Sequence, residues 1–195
     1  MNDNRNALIV VTVFIISVII IIGAILFNLE KPDNKKVVDY NYFVFEEIGG
    51  LWQTTLTRDG QSYAAVFRFN PSQTDDVYIT GDFTGFKKSP IYITFDPNAS
   101  QEEFKYLALG ASELSLHLIR GLNMEVAAAC TADETLACEE RPIVSCDSNE
   151  SVIYLVPKAP TQITLKGSCV TLSGDKLELL KSIDRVLFQW YKIVK

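Results

Sequence analysis

IYITFDPNASQEEFKYLALGASELSLHLIRGLNMEVAAAC, residues 91–130, is the stretch that decides the fold class. Its first five residues, Ile91 to Phe95, are β-branched or aromatic, the side chains that suit a pleated, half-buried surface. Asp96-Pro97 closes that strand, because proline has no N–H to donate. Ser100 offers its hydroxyl to the first free amides of a helix, and Glu103 three residues later completes a capping box. Phe104, Leu107, Ala111, Leu114 and Leu118 recur every three or four residues and make one apolar stripe. Gly121 is a natural stop. Met124 to Cys130 is an apolar run that reads as a buried strand. The spacing predicts a βαβ-like unit, with two parallel neighbouring strands and a right-handed connection.

Upstream, Leu51 to Asn70 carries the clearest β signal. Trp52, Thr54 and Leu56 alternate with Gln53, Thr55 and Thr57. Arg58-Asp59-Gly60 is a turn, and Tyr63, Ala65, Phe67 and Phe69 share one face of the return strand. Core packing is the expected role of these aromatics. Tyr42 to Phe45 is expected to open the domain, and Val77 to Thr80 to form a short strand before a loop over Gly81 to Pro90. Downstream, Ile143 to Cys146 reads as a strand. Val152 to Val156 and Gln162 to Leu165 read as a hairpin around Pro157-Lys158-Ala159-Pro160, and Ser168 to Leu172 as another strand. A last helix starts near Lys176. Leu179, Leu180, Ile183, Val186, Leu187 and Trp190 line one face, with Lys181, Asp184, Arg185 and Lys192 on the other. The expected domain is α+β, a single mixed sheet with two main helices.

Ahead of it stands ALIVVTVFIISVIIIIGAILF, residues 7–27, without a charged side chain. At about 1.5 Å per residue this run matches the thickness of a bilayer's hydrocarbon core. A helix satisfies its own backbone there, whatever its β-branched content. A cleaved leader would be shorter and would end in small residues, unlike Leu26-Phe27-Asn28. The expected organisation is a tail over 1–6, a transmembrane helix over 7–27 contacting membrane lipid, a polar stalk over 28–41 and one domain over 42–195.

Charge bounds the partners. The chain has 24 acidic and 18 basic residues; setting aside Asp3 and Arg5 leaves 23 and 17 beyond the span, a net −6. Nucleic acid needs a basic footprint, so it is not an expected partner. Lys31, Lys35 and Lys36 after the span favour an inside domain by the positive-inside rule. Two features favour the outside. Cys130, Cys138, Cys146 and Cys169 form an even set, and Asn98-Ala99-Ser100 and Asn149-Glu150-Ser151 match the glycosylation acceptor pattern. An extracytoplasmic domain of a single-pass membrane protein is the reading adopted.

The cysteines lack the C-x2-C spacing by which one turn presents two thiolates to a metal. Two disulfides are expected. Three connectivities are open, and Cys130–Cys138 with Cys146–Cys169 is preferred. His117 is the single histidine, expected to pack within the helix one turn beyond Glu113. The carboxylate pairs Glu46-Glu47, Asp75-Asp76, Glu102-Glu103 and Glu139-Glu140 are adjacent, so in a strand they would point to opposite faces. Glu102 and Glu103 suit a helix N-terminus. No glycine pattern meets a phosphate-loop or dinucleotide fingerprint. No catalytic, metal or cofactor residue is assigned.

Trp52 through Asn70-Pro71, Ile91 to Pro97, Cys146 to Cys169 and Asp184-Arg185 together resemble uncharacterised single-span archaeal membrane proteins. The resemblance implies an archaeal membrane setting and no known activity. The expected function is a membrane-anchored extracytoplasmic interaction or assembly module, such as a subunit of a cell-envelope complex, with a protein partner or a homo-oligomer. An anchored thiol or sulfur-handling enzyme using Cys130 or Cys138 is the alternative, and a ligand-binding sensor domain a further one.

Overall fold

The computed structural model describes residues 13–23, 36–58 and 60–194. They fall into two units, residues 1–35 and 36–195. In the first, residues 13–23 are helical (α1) and their apolar side chains, Phe14 and Ile20 among them, are exposed. Among the described residues no helix is long and apolar enough to cross a membrane. Both ends of the 7–27 run, the 1–6 tail and residues 28–35 lie outside the described residues.

The second unit is α+β and begins earlier than the sequence suggests. Val37–Tyr40 (β1), assigned above to the stalk, pairs antiparallel with Phe43–Ile48 (β2). Val38 and Tyr40 alternate inward onto the core, which is why so short and polar a stretch is held as a strand. Leu51–Arg58 (β3) and Gln61–Phe67 (β4) are the expected hairpin, with Trp52 opposite Phe67 and Thr54 opposite Ala65. These strands form an antiparallel sheet in the order β1-β2-β3-β4.

A second sheet is mixed. It contains Tyr78–Phe83 (β5), Ile91–Phe95 (β6), Val126–Cys130 (β7), Val152–Val156 (β8), Gln162–Gly167 (β9) and Cys169–Ser173 (β10), in the order β5-β9-β10-β8-β6-β7. The single sheet of the sequence reading is therefore two sheets. The βαβ unit is present: β6 and β7 are parallel neighbours, Ile91 beside Val126 through Phe95 beside Cys130, joined through Gln101–Leu116 (α2). Ser100 caps α2, accepting from the Glu103 amide at 3.2 Å while Glu103 accepts from the Ser100 amide at 2.8 Å.

Three strand readings are corrected. β8 and β9 are not a hairpin. β10 lies between them, parallel to β8 and antiparallel to β9. The turn is Gly167-Ser168, closed by the Lys166–Cys169 pair, with Gly167 at φ +62°. β5 does not end at Gly81. It continues to Phe83, because Gly81 at φ +83° presses against the Leu165 carbonyl, where an added Cβ would lie 2.0 Å from the oxygen. Ile143–Cys146 is no strand. Ile143 makes an isolated bridge to Cys130, and the segment covers the far face of the mixed sheet with Val144 packed on Ala129 and Val152.

Leu177–Trp190 (α3) packs against both sheets. Phe188 meets Phe45 and Phe67 of the antiparallel sheet, with centroids 5.8 and 4.6 Å apart. Leu179, Ile183 and Val186 join the same core with Ile153, Ile163 and Leu172 of the mixed sheet. Two covered sides explain why Asp184, read above as solvent-facing, is buried. Lys181 and Arg185 do lie at the surface rim, paired with Asp76 at 2.8 Å and Asp75 at 3.1 Å. That gives the Asp75-Asp76 pair a structural role.

Candidate functional site: a groove beside strand β4

β4 is an edge strand, and α2 with its C-terminal extension runs beside it. Between them lies a groove of about 280 Å³. Leu51, Ala64 and Val66 form one wall, and Glu113, Leu116 and Arg120 the other. Val66 is 41% exposed and Leu116 51%, beside an equally bare Ile119. Arg68 closes one end through a forked pair with Glu113: Nη2 lies 2.6 Å from Oε1, and Nε lies 2.9 and 3.2 Å from the two oxygens. Arg120 has no hydrogen bond or carboxylate partner among the described residues, so the groove carries one uncommitted cation.

The groove's shape depends on how the helix ends. Beyond Leu116 it widens into a π-turn over His117–Gly121, with the Leu122 amide on the His117 carbonyl at 3.0 Å. His117, where this turn begins, lies under the β4 edge. Its Nε2 lies 3.0 Å from the Val66 carbonyl, and its ring stacks on Phe67 at 4.7 Å. A carbonyl only accepts, so Nε2 carries a proton. In the neutral ring Nδ1 then accepts from the Tyr191 hydroxyl, 3.0 Å away. Burial holds His117 below the ordinary histidine value, and the Val66 carbonyl opposes this only in part. The Tyr191 hydroxyl, pushed up chiefly by burial, also lies 3.2 Å from the His117 carbonyl. Gly121 makes this contact possible, since an added Cβ would lie 2.0 Å from Tyr191 Oη. Arg58 reaches the Gly121 carbonyl at 2.9 Å and ties β3 to the turn.

Beneath the Arg68–Glu113 pair, Asp184 of α3 accepts from the Arg68 and Phe69 amides at 2.9 and 2.8 Å. Burial pushes its carboxyl well above the ordinary range, and the two amides pull it back. It fixes the chain where β4 ends. The groove thus has a rigid floor, built by α3, the π-turn and the edge strand.

Both ring nitrogens of His117 are occupied by structural partners. Cys130 is bonded to Cys138 and Cys146 to Cys169, with Cα–Cα distances of 5.9 and 5.3 Å, so no cysteine is free. These are the pairs the spacing favoured. Among the described residues no three metal-ligating side chains gather. The acceptor triplets are tied into the fold. Asn98 is exposed and donates to Glu134, and Ser100 is the α2 cap. Asn149 is exposed, but Ser151 is buried and its Oγ accepts from the Lys87 and Lys88 amides at 3.1 and 2.9 Å. Neither triplet touches the groove.

The groove residues Val66, Arg68, Leu116 and Arg120 are not singled out by the sequence reading. One signal was available. Leu116 and Ile119 are apolar residues that lie off the stripe formed by Leu107, Leu114 and Leu118. No protein-family model matches the chain, and neither a curated protein nor a solved structure is significantly similar to it.

Proposed function

We propose that the chain is a membrane-anchored interaction module whose α+β domain lies outside the cell and holds a protein partner through the β4–α2 groove. The observation that carries this is the exposed pair Val66 and Leu116 lining a groove with an uncommitted Arg120. Apolar surface with a lone cation at its edge suits a partner segment presenting an apolar side chain next to an acidic one. The apolar run 7–27 supports the anchor, and the two disulfides suit an oxidising compartment. The envelope of an archaeon is the setting we infer, on the resemblance given above. The bonded state of Cys130 and Cys138 weighs against the thiol-enzyme reading.

The test is purification of the full chain from its native membrane in mild detergent. A stoichiometric partner, or a defined homo-oligomer, is expected, and Leu116→Glu should release it while leaving the domain folded. A wild-type monomer, or an assembly indifferent to Leu116→Glu, would overturn the proposal.

A further inference from the structure

A second cavity lies across α2 from the groove, over the outer edge of the mixed sheet. It encloses about 190 Å³, room for about six waters. β7 ends the sheet there, and Ala128 faces Ala108 and Ala111 of α2 across the opening, while Ala127 turns its methyl to the other face of the strand. Larger side chains at the facing positions would fill the slot; as built, Ala128 is exposed. Phe95 and Phe104 form the end wall, packed edge to face at 5.7 Å. Ser115 is committed to the Ala111 carbonyl at 2.6 Å. That leaves Arg141 as the polar group of the slot whose side chain makes no hydrogen bond among the described residues. Its guanidinium lies 5.9 Å from the Phe95 ring, and it has no carboxylate partner among the described residues, although Glu139 and Glu140 precede it in sequence.

We propose that this slot binds a small apolar carboxylate, an acyl chain of medium length whose head meets Arg141. Apolar walls with one well-placed polar group are the usual construction of a small-molecule site. The walls reward an apolar body and give a second charge no partner, while the guanidinium selects an anionic head and matches a carboxylate with two parallel donors. The slot is too small for a folded partner. It is independent of the β4 groove, so either reading can fail without the other.

The experiment uses the full chain in lipid nanodiscs, with alanine methyl groups labelled for NMR and octanoate, octanol and N-acetylleucine as probes. Octanoate should move the methyl signals of Ala108, Ala111 and Ala128, with octanol binding about tenfold more weakly. Arg141→Gln should bring octanoate down to the octanol level. Ala128→Phe, at an exposed position, should abolish both responses while the remaining methyl pattern reports an intact fold. Equal binding of octanol and octanoate to the wild type would overturn the proposal. So would the absence of a response at these methyls, or tighter binding of N-acetylleucine, which would reassign the slot to peptide termini.

Discussion

At the scale of single residues, His117 and Asp184 make opposite demands on pH. The folded state holds His117 below its ordinary 6.5, so the unfolded chain takes up its proton first as the pH falls. The stability that His117 contributes is complete above about 6.5 and is lost as the pH drops through that value toward the folded one. Chemical denaturation of the wild type should therefore show a loss as the pH falls below about 6.5, and this loss should shrink in His117→Gln. The glutamine amide can still donate to Val66 and accept from Tyr191, so the variant tests titration more than packing. Asp184 is held above its ordinary 3.8, so its contribution is greatest in acid and fades as the pH rises through its folded value. Removing its carboxylate strands two buried amides. Asp184→Ala should cost about 2–5 kcal/mol in urea denaturation, and Asp184→Asn, which keeps an acceptor, clearly less. Packing was the role the sequence assigned to His117, and it holds that role. Its partners were hidden, because Val66 and Tyr191 lie 51 and 74 residues away and a helix ending in a π-turn leaves no local mark. Asp184 was misplaced for a related reason. A helix period separates buried from exposed faces only when one side is covered, and α3 is covered on two.

At the scale of elements, the strand–helix–strand unit was legible because each signal in it is local: a β-branched run, a proline stop, a capping box, a periodic stripe. The β8–β9–β10 arrangement was not. Two strands flanking a proline-rich turn look like a hairpin, yet the pairing follows the two-residue Gly167-Ser168 turn, and β10 takes the place between them. The disulfides brace the elements that have the fewest ladder partners. Cys130–Cys138 holds the loop beyond edge strand β7, and Cys146–Cys169 pins the covering segment to β10. With separations of 8 and 23 residues, loop-closure arguments give about 2.5 and about 3.4 kcal/mol respectively. The double variants Cys130→Ser/Cys138→Ser and Cys146→Ser/Cys169→Ser should lower the urea midpoint in that order, the second more than the first. At the end of α2, Gly121→Ala should displace Tyr191 and lower stability by about 1–3 kcal/mol.

At the scale of the whole molecule, composition and order of elements were enough for the α+β class but not for the division into two sheets. That division rests on long-range packing of Phe45 and Phe67 against Phe188, which no local pattern announces. The groove arises only once an edge strand and a helix from different sequence regions meet, so it was invisible until the fold was assembled. The direction of the anchor proposed over 7–27 governs how all of this is used. Lysines 31, 35 and 36 favour the inside, whereas the paired cysteines favour the outside. Tyr42, fully exposed on the domain, offers a place to decide it. In intact cells of the native host, Tyr42→Cys in the full chain should react with a membrane-impermeant maleimide, with Cys130–Cys138 and Cys146–Cys169 recovered oxidised under non-reducing mass spectrometry. Labelling that appears only after the cells are broken, with the four native cysteines recovered as thiols, would contradict an extracytoplasmic interaction domain.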